Sequence, residues 1–162
     1  MKKKIAIVIC FLLALLISGC SGESAKVKKF EVEGLTITLT DAFEVKEQSF
    51  YTSLFADDIK IVIQPISIEN TDGLSLDEWA KQTCDGISCA EGVKILSMPT
   101  AENNYIAEYS LEATSETFDT INMLAFFKSD DFYWNITFAC HSEEYFSLRQ
   151  QFLAWVETVE LP

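Results

Sequence analysis

The chain has 162 residues, of which 49% are hydrophobic and 12% aromatic, a composition that excludes an intrinsically disordered protein. Its 25 acidic residues outnumber the 12 basic ones, and the resulting net charge of −13 argues against binding to nucleic acid. About 130 residues follow the N-terminal segment, which is enough for one domain with its own core.

The N-terminal segment predicts an export signal. Residues 1–4 carry three lysines, and residues 5–17 form an apolar run without a charge. A permanent transmembrane helix needs roughly 20 apolar residues, so it is the weaker interpretation of this run. The run ends in Ile17-Ser18-Gly19-Cys20, which resembles the lipobox of bacterial lipoproteins. An ordinary secreted protein cut elsewhere and a signal anchor are the alternatives.

The lipobox resemblance implies cleavage before Cys20, which then carries a diacylglycerol thioether and further fatty acyl chains such as palmitate. Two or three chains anchor a protein durably, so we expect a lipoprotein on the extracytoplasmic side of the cell membrane. The predicted organisation is a signal peptide over 1–19, a flexible polar tether over 20–29 and one domain over 30–162. Without its first three lysines the chain has nine basic residues and a charge of −16.

Three cysteines remain in the predicted domain. Alternation over residues 131–141 puts Cys140 on the same strand face as Trp134 and Phe138, so Cys140 is predicted to be buried. Cys84 and Cys89 flank residues 85–88, a predicted turn, and a disulfide between them would contribute about 2 kcal/mol. Two reduced thiols, or a metal site without a neighbouring His, are the alternatives.

The first half of the predicted domain is rich in strands. Residues 30–33 and 35–40 predict a hairpin around Gly34, and residues 50–55 and 59–68 predict a second pair joined by a turn. Pro65 lies in the last of these segments and cannot donate a hydrogen bond to a neighbouring strand. We therefore expect Pro65 at a sheet edge or a bulge.

The second half predicts two helices around four strands. Ser75 and Glu78 form a capping-box pattern that starts a helix over 76–84. Extended segments at 93–98, 105–111, 117–128 and 131–140 suggest an antiparallel meander. The last helix is predicted to be capped by Ser142, and it carries an apolar stripe that would dock on the sheet: Tyr145, Leu148, Phe152, Trp155 and Val159. The predicted class is α+β.

The order of these elements resembles the PsbP-like superfamily, which includes the photosystem protein PsbP, a Ran-binding transport factor and bacterial lipoproteins. The residues that carry the resemblance are the hairpin around Gly34, the strand 59–68, the helix start Ser75-Leu76-Asp77-Glu78-Trp79, the aromatic strand 132–138 and the closing helix. The resemblance implies an antiparallel sheet with helices on both faces, in an α/β/α arrangement, and a role in binding or assembly. Thr40-Asp41 stands where such proteins commonly have a proline. No residue carries over the manganese or Ran role, so neither function is transferred.

The sequence offers little material for catalysis. It contains no phosphate-binding glycine loop, no dinucleotide fingerprint and no HExxH motif. His141 is the single histidine, and a nucleophilic mechanism would have to use it. The loop 69–73 with Asp77 is rich in oxygen ligands for weak calcium binding, but it lacks EF-hand spacing and turn chemistry explains it better.

The second face of the aromatic strand carries Tyr133, Asn135 and Thr137, with His141 beyond them. These side chains suit partner recognition, but they would be interior polar groups if a helix covers the face. The sequence therefore predicts a non-enzymatic binding or assembly module without cofactor or metal, with an envelope protein or small ligand as partner. The alternatives are an envelope hydrolase that uses His141 and a weak calcium-binding protein.

Overall fold

The computed structural model describes residues 26–48, 50–71, 73–114 and 118–162. The predicted export signal and the lipidation of Cys20 lie outside these residues. Within the described ranges, no helix combines the length and the apolar character that crossing a membrane requires.

The described residues form nine strands, two α-helices and two short 3₁₀ turns. The helices are α1, Leu76–Ser88, and α2, Tyr145–Val156; the 3₁₀ turns are Ile68–Asn70 and Ala101–Asn103. The strands are β1, Val27–Val32; β2, Leu35–Thr40; β3, Glu44–Glu47; β4, Thr52–Ala56; β5, Ile59–Ser67; β6, Val93–Ser97; β7, Ile106–Leu111; β8, Thr120–Lys128; and β9, Phe132–His141.

Strands β1 and β2 pair as an antiparallel hairpin, and the other seven form one antiparallel sheet in the order β3-β4-β5-β9-β8-β7-β6. The sheet therefore consists of two meanders, β3 to β5 and β6 to β9, joined where β5 pairs with β9. This pairing confirms the predicted meander. Pro65 lies in β5 opposite Trp134 of β9, at a point where the pairing of β5 with β4 has already stopped at Ile63.

The alternation of side chains along β8 separates two apolar cores. Met123 and Ala125 share a core with residues of the β1–β2 hairpin and α2. Leu124 and Phe126, on the opposite side of the strand, pack in a second core with residues of α1. The result is a mostly antiparallel sheet with two helices, which confirms the α+β class.

Three element boundaries differ from the predictions. β1 begins at Val27, inside the predicted tether, because Val27 to Lys29 continue the pairing with β2. β3 was not predicted because all four of its residues are exposed, so no alternation of burial marks it. α2 begins after Glu144, which makes no side-chain capping bond, so the prediction that Ser142 caps this helix is wrong.

The region between Cys84 and Cys89 is also different from the prediction. α1 continues to Ser88, with Cys89 as its C-terminal cap, so residues 85–88 are helical and the predicted turn is wrong. Ile87 packs against the second core, which offsets the cost of about 1 kcal/mol for Gly86 in a helix. Side chains five positions apart on a helix point about 140° apart. Cys84 is accordingly buried, Cys89 is exposed, and the structure contains both as free thiols without the predicted bridge.

Candidate functional site

The polar residues predicted for partner binding on β9 are separated by the fold. Tyr133 is 0% exposed, stacks on Trp79 of α1 with ring centroids 5.2 Å apart, and donates its hydroxyl hydrogen to the carbonyl of Leu74. Asn135 is 7% exposed, and its Oδ1 accepts from Trp79 Nε1 at 3.3 Å. Because α1 covers both residues, they are interior polar groups, and each makes a hydrogen bond to α1 or to the loop before it.

Thr137 and His141 lie on the same side of β9 and are half-buried. His141 is eight residues from Tyr133, which is about 26 Å along an extended strand. Its ring contacts Phe118 edge to face at 5.0 Å, and it lines a cavity of about 490 Å³ with Asp119 and Glu143. The four predicted binding residues therefore do not form one site.

The predicted calcium loop is described only in part, since its Asp72 lies outside the described residues. Thr71 is buried and donates its hydroxyl hydrogen to the carbonyl of Ile68, which is turn chemistry. Among the described residues, no cluster of three or more His, Cys, Asp or Glu side chains could hold a metal ion.

A groove of about 540 Å³ lies between α2 and the strands β6 and β7. Ile106 supplies the strand side of its apolar surface, and Leu153, Ala154 and Val156 supply the helix side. Its polar lining residues come from both sides as well: Ser97, Asn103, Asn104, Glu108, Arg149, Gln150 and Glu157. The groove exists because α2 packs over β8 and β9 and leaves the same face of β7 and of the edge strand β6 beside it.

A partly buried carboxylate, that of Glu108, organises one end of this groove. Glu108 pairs with Met123 across β7 and β8 and lies on the same sheet face, and its side chain is 14% exposed. Its Oε1 accepts from the Tyr145 hydroxyl at 2.6 Å and from Arg149 Nε at 2.6 Å. Glu108 thus fixes two side chains of α2 against the sheet.

Arg149 is the single arginine in the sequence, and its side chain is 38% exposed. The hydrogen bond to Glu108 is the main cause that raises the pKa of Arg149. Burial, followed by the hydrogen bond to Glu108, raises the pKa of Tyr145. Both groups therefore keep their protons at neutral pH and provide hydrogen-bond donors. The Tyr145 hydroxyl is a further neighbour of the guanidinium and contributes to the raised pKa of Arg149.

The other end of the groove is acidic. Arg149, Leu153 and Glu157 follow one another at four-residue spacing, so they lie along one side of α2. Eight residues of helix place Arg149 and Glu157 about 12 Å apart along the axis. Glu157 is the C-terminal cap, where the partial negative charge of the helix end adds to its carboxylate. The groove thus has the ion pair of Arg149 and Glu108 at one end, the Glu157 carboxylate at the other and an apolar surface between them.

No protein-family model matches the sequence, and no curated protein matches it. Among solved structures, the fold is similar to the solution structure of cyanobacterial PsbP (CyanoP) from Synechocystis sp. PCC 6803. The likeness has a TM-score of 0.58 and covers 91% of this chain and 99% of the CyanoP chain, at 9% identity. The chain has a PsbP-like fold. The predicted PsbP-like fold is confirmed, and at this identity the likeness concerns the fold alone.

The groove of the PsbP-like domain was not predicted from the sequence. Glu108 and Arg149 are 41 positions apart, and no local pattern connects them. Two signals were nevertheless present in the sequence. Arg149 is the single arginine of the chain. Glu108 alternates with Ile106 on the core-facing side of a predicted strand. A carboxylate at such a position requires a buried donor, and Tyr145 and Arg149 both occur on the helix that covers that face.

Proposed function

We propose that this chain is a lipoprotein, anchored by Cys20 on the extracytoplasmic side of the cell membrane, whose PsbP-like domain is a non-catalytic binding or assembly module. In this proposal α1 and α2 are the outer layers of an α/β/α arrangement, and the groove beside α2 is the binding site. The observation that carries the proposal is Arg149, a residue of the groove lining whose guanidinium Glu108 orients through Nε.

Several properties of the groove support a binding role. Its volume of about 540 Å³ lies within the range of roughly 300 to 1,000 Å³ that is typical of ligand sites. It combines an apolar surface with a few fixed polar groups, which is the usual composition of such sites. Because Glu108 is held by both Tyr145 and Arg149, the polar groups do not have to reorganise when a ligand enters.

The chemistry of these residues favours binding over catalysis. A general base works best with a pKa near the operating pH. The pKa of Tyr145 and that of Arg149 are both raised from values that already lie far above neutrality, so neither side chain accepts a proton there. They can orient and neutralise an anionic group without transferring a proton to it.

The proposed membrane localisation is supported by the lipobox-like stretch that ends at Cys20. The intact mass of the protein purified from membranes, with Cys20→Ser as the control, tests it. We expect a chain that begins at Cys20 and carries acyl mass, whereas Cys20→Ser leaves the membrane fraction. A wild-type protein with an unmodified Cys20, or a Cys20→Ser variant that stays membrane-bound, would contradict the anchor.

Site-specific photo-crosslinking in cells tests the binding role of the groove. A photoreactive phenylalanine analogue replaces Gln150, which lines the groove, or the adjacent Gln151, which is exposed and lies outside the groove lining. We expect an adduct of defined mass from position 150, its loss when Arg149→Gln is added, and no such adduct from position 151. The same adducts from both positions would show that the groove is not the binding site.

A further inference from the structure

We propose that the groove binds a short zwitterionic peptide of about three residues, with the peptide α-carboxylate on Arg149 and the α-amino group at Glu157. This inference rests on the proposed function, because it takes the groove to be the binding site. It names the ligand class from the charges at the two ends and the distance between them.

The Arg149 end suits a carboxylate. Nε of Arg149 donates to Glu108 at 2.6 Å and Arg149 lines the groove, so the terminal nitrogens are the donors that a ligand in the groove would use. A planar pair of N–H donors matches the two oxygens of a carboxylate, and such bidentate bonds are stronger than neutral ones. Since Tyr145 holds Glu108 from a second direction, the guanidinium is fixed before the ligand arrives.

The Glu157 end suits an ammonium group. The Glu157 side chain is exposed on the groove, and within the described ranges it has no hydrogen bond or ion pair. It caps the C-terminus of α2, where the helix dipole favours a cation, and the last turn of α2 contains no basic residue. A ligand ammonium would therefore fill a role that no lysine or arginine of α2 fills.

The distance between the ends sets the length of the ligand. The axial rise between the backbones of Arg149 and Glu157 is about 12 Å, and we take this rise as the span that the ligand has to bridge. Three extended residues span at most about 10 to 11 Å, and hydrogen bonds at both termini add to that length. Leu153 and Ala154 offer apolar contacts to the middle of the peptide, and the exposed side-chain amides of Asn104 and Gln150 can bond to its backbone.

The charge of the whole chain favours a zwitterion over a simple anion. At a net charge of −13, the protein repels a ligand that carries only a carboxylate. The α-amino group of a peptide removes that net charge and at the same time supplies the cation for Glu157. Blocking either terminus should consequently weaken binding. Amidation removes the carboxylate that binds Arg149, and acetylation removes the ammonium group that binds Glu157.

Titration calorimetry of the full chain in detergent with trialanine tests the proposal, with N-acetyl-trialanine and trialanine amide as matched probes. We expect trialanine to bind and each blocked form to bind at least tenfold more weakly. We also expect Arg149→Gln to abolish the difference between free and amidated trialanine. Glu157→Gln should abolish the difference between free and acetylated trialanine. Glu143→Gln, an exposed acid outside this groove, should change neither.

Glu157→Gln keeps the test decisive if Arg149→Gln fails to fold, because Glu157 is exposed and its side chain has no partner in the described structure. Equal binding of free and blocked trialanine, or no binding at millimolar concentration, would overturn the peptide proposal. If crosslinking at position 150 persists in that case, the ligand class is wrong and the binding role of the groove stands. If crosslinking is also absent, both proposals fail.

Discussion

At the scale of single residues, Glu108 is the common acceptor for two side chains of α2. Glu108→Ala deprives the buried Tyr145 hydroxyl and Arg149 Nε of their common acceptor. An unsatisfied buried donor costs about 1 to 3 kcal/mol, so we expect the free energy of unfolding to fall by about that amount. Urea denaturation of the variant measures the loss.

A second ion pair provides the control for Glu108→Ala. Lys29 and Glu160 are 2.9 Å apart, but their side chains are 62% and 64% exposed. Exposed pairs contribute little, so Glu160→Ala should destabilise the protein much less than Glu108→Ala. Equal effects of the two variants would show that Glu108 is not a buried acceptor on which the packing of α2 depends.

The buried thiols make the stability depend on alkaline pH. Burial raises the pKa of Cys84 from 9.0 to about 11, and it raises that of Cys140 from 9.0 to about 11. The folded state therefore keeps both protons between pH 9 and 11 while the unfolded chain loses them, so this contribution to stability is complete below pH 9 and disappears as the pH rises. We expect a loss of about 1 kcal/mol per thiol between pH 8 and 10.

Denaturation of the double variant Cys84→Ala, Cys140→Ala at pH 8 and pH 10 checks this dependence. The variant should lose less stability than the wild type over that interval. Part of the dependence of the free energy of unfolding on pH should remain, because burial also raises the pKa of Tyr145. Cys89→Ala, at an exposed thiol, controls for the loss of a cysteine side chain and should change the free energy of unfolding at pH 8 by less than about 0.5 kcal/mol. A double variant with the wild-type slope would contradict the assignment to Cys84 and Cys140.

At the scale of the elements, the two helices begin in different ways. The Ser75 side chain accepts from the backbone N–H of Glu78, and the Glu78 carboxylate accepts from the backbone N–H of Ser75. Ser75→Ala should therefore cost about 1 kcal/mol. Ser142 is also a serine that precedes a helix, but it does not cap α2. Ser142→Ala should therefore change the stability little. Thermal unfolding of the two variants compares them, and an equal decrease would contradict the difference in capping.

The same elements indicate how much of the fold was predictable. The capping box, the alternation along β9 and the stripe on α2 are local patterns, and the structure contains all three. The extension of α1 through Gly86 depends on the contact of Ile87 with the sheet, which is not encoded locally. β3 depends on pairing with β4 alone. The groove depends on contacts between residues far apart in the sequence, and for that reason it could not be predicted.

At the scale of the whole molecule, β9 connects both meanders and α2. Phe138 lies opposite Ile61 of β5 on one side and Met123 of β8 on the other. Its ring stacks on Phe152 at 5.4 Å and on Trp155 at 6.3 Å. A single side chain thus contacts the two halves of the sheet and the helix that forms one wall of the groove.

Phe138→Ala should for this reason lower the stability of the entire domain. Truncation of a buried phenylalanine costs about 3 to 5 kcal/mol, and unfolding should remain one transition because both meanders lose the same contact. Phe50→Ala, at a residue that is 82% exposed, should change the free energy of unfolding by less than about 0.5 kcal/mol. Urea denaturation followed by far-UV circular dichroism and by tryptophan fluorescence measures both variants. Two separate transitions in Phe138→Ala would mean that the meanders unfold independently and that β9 does not couple them.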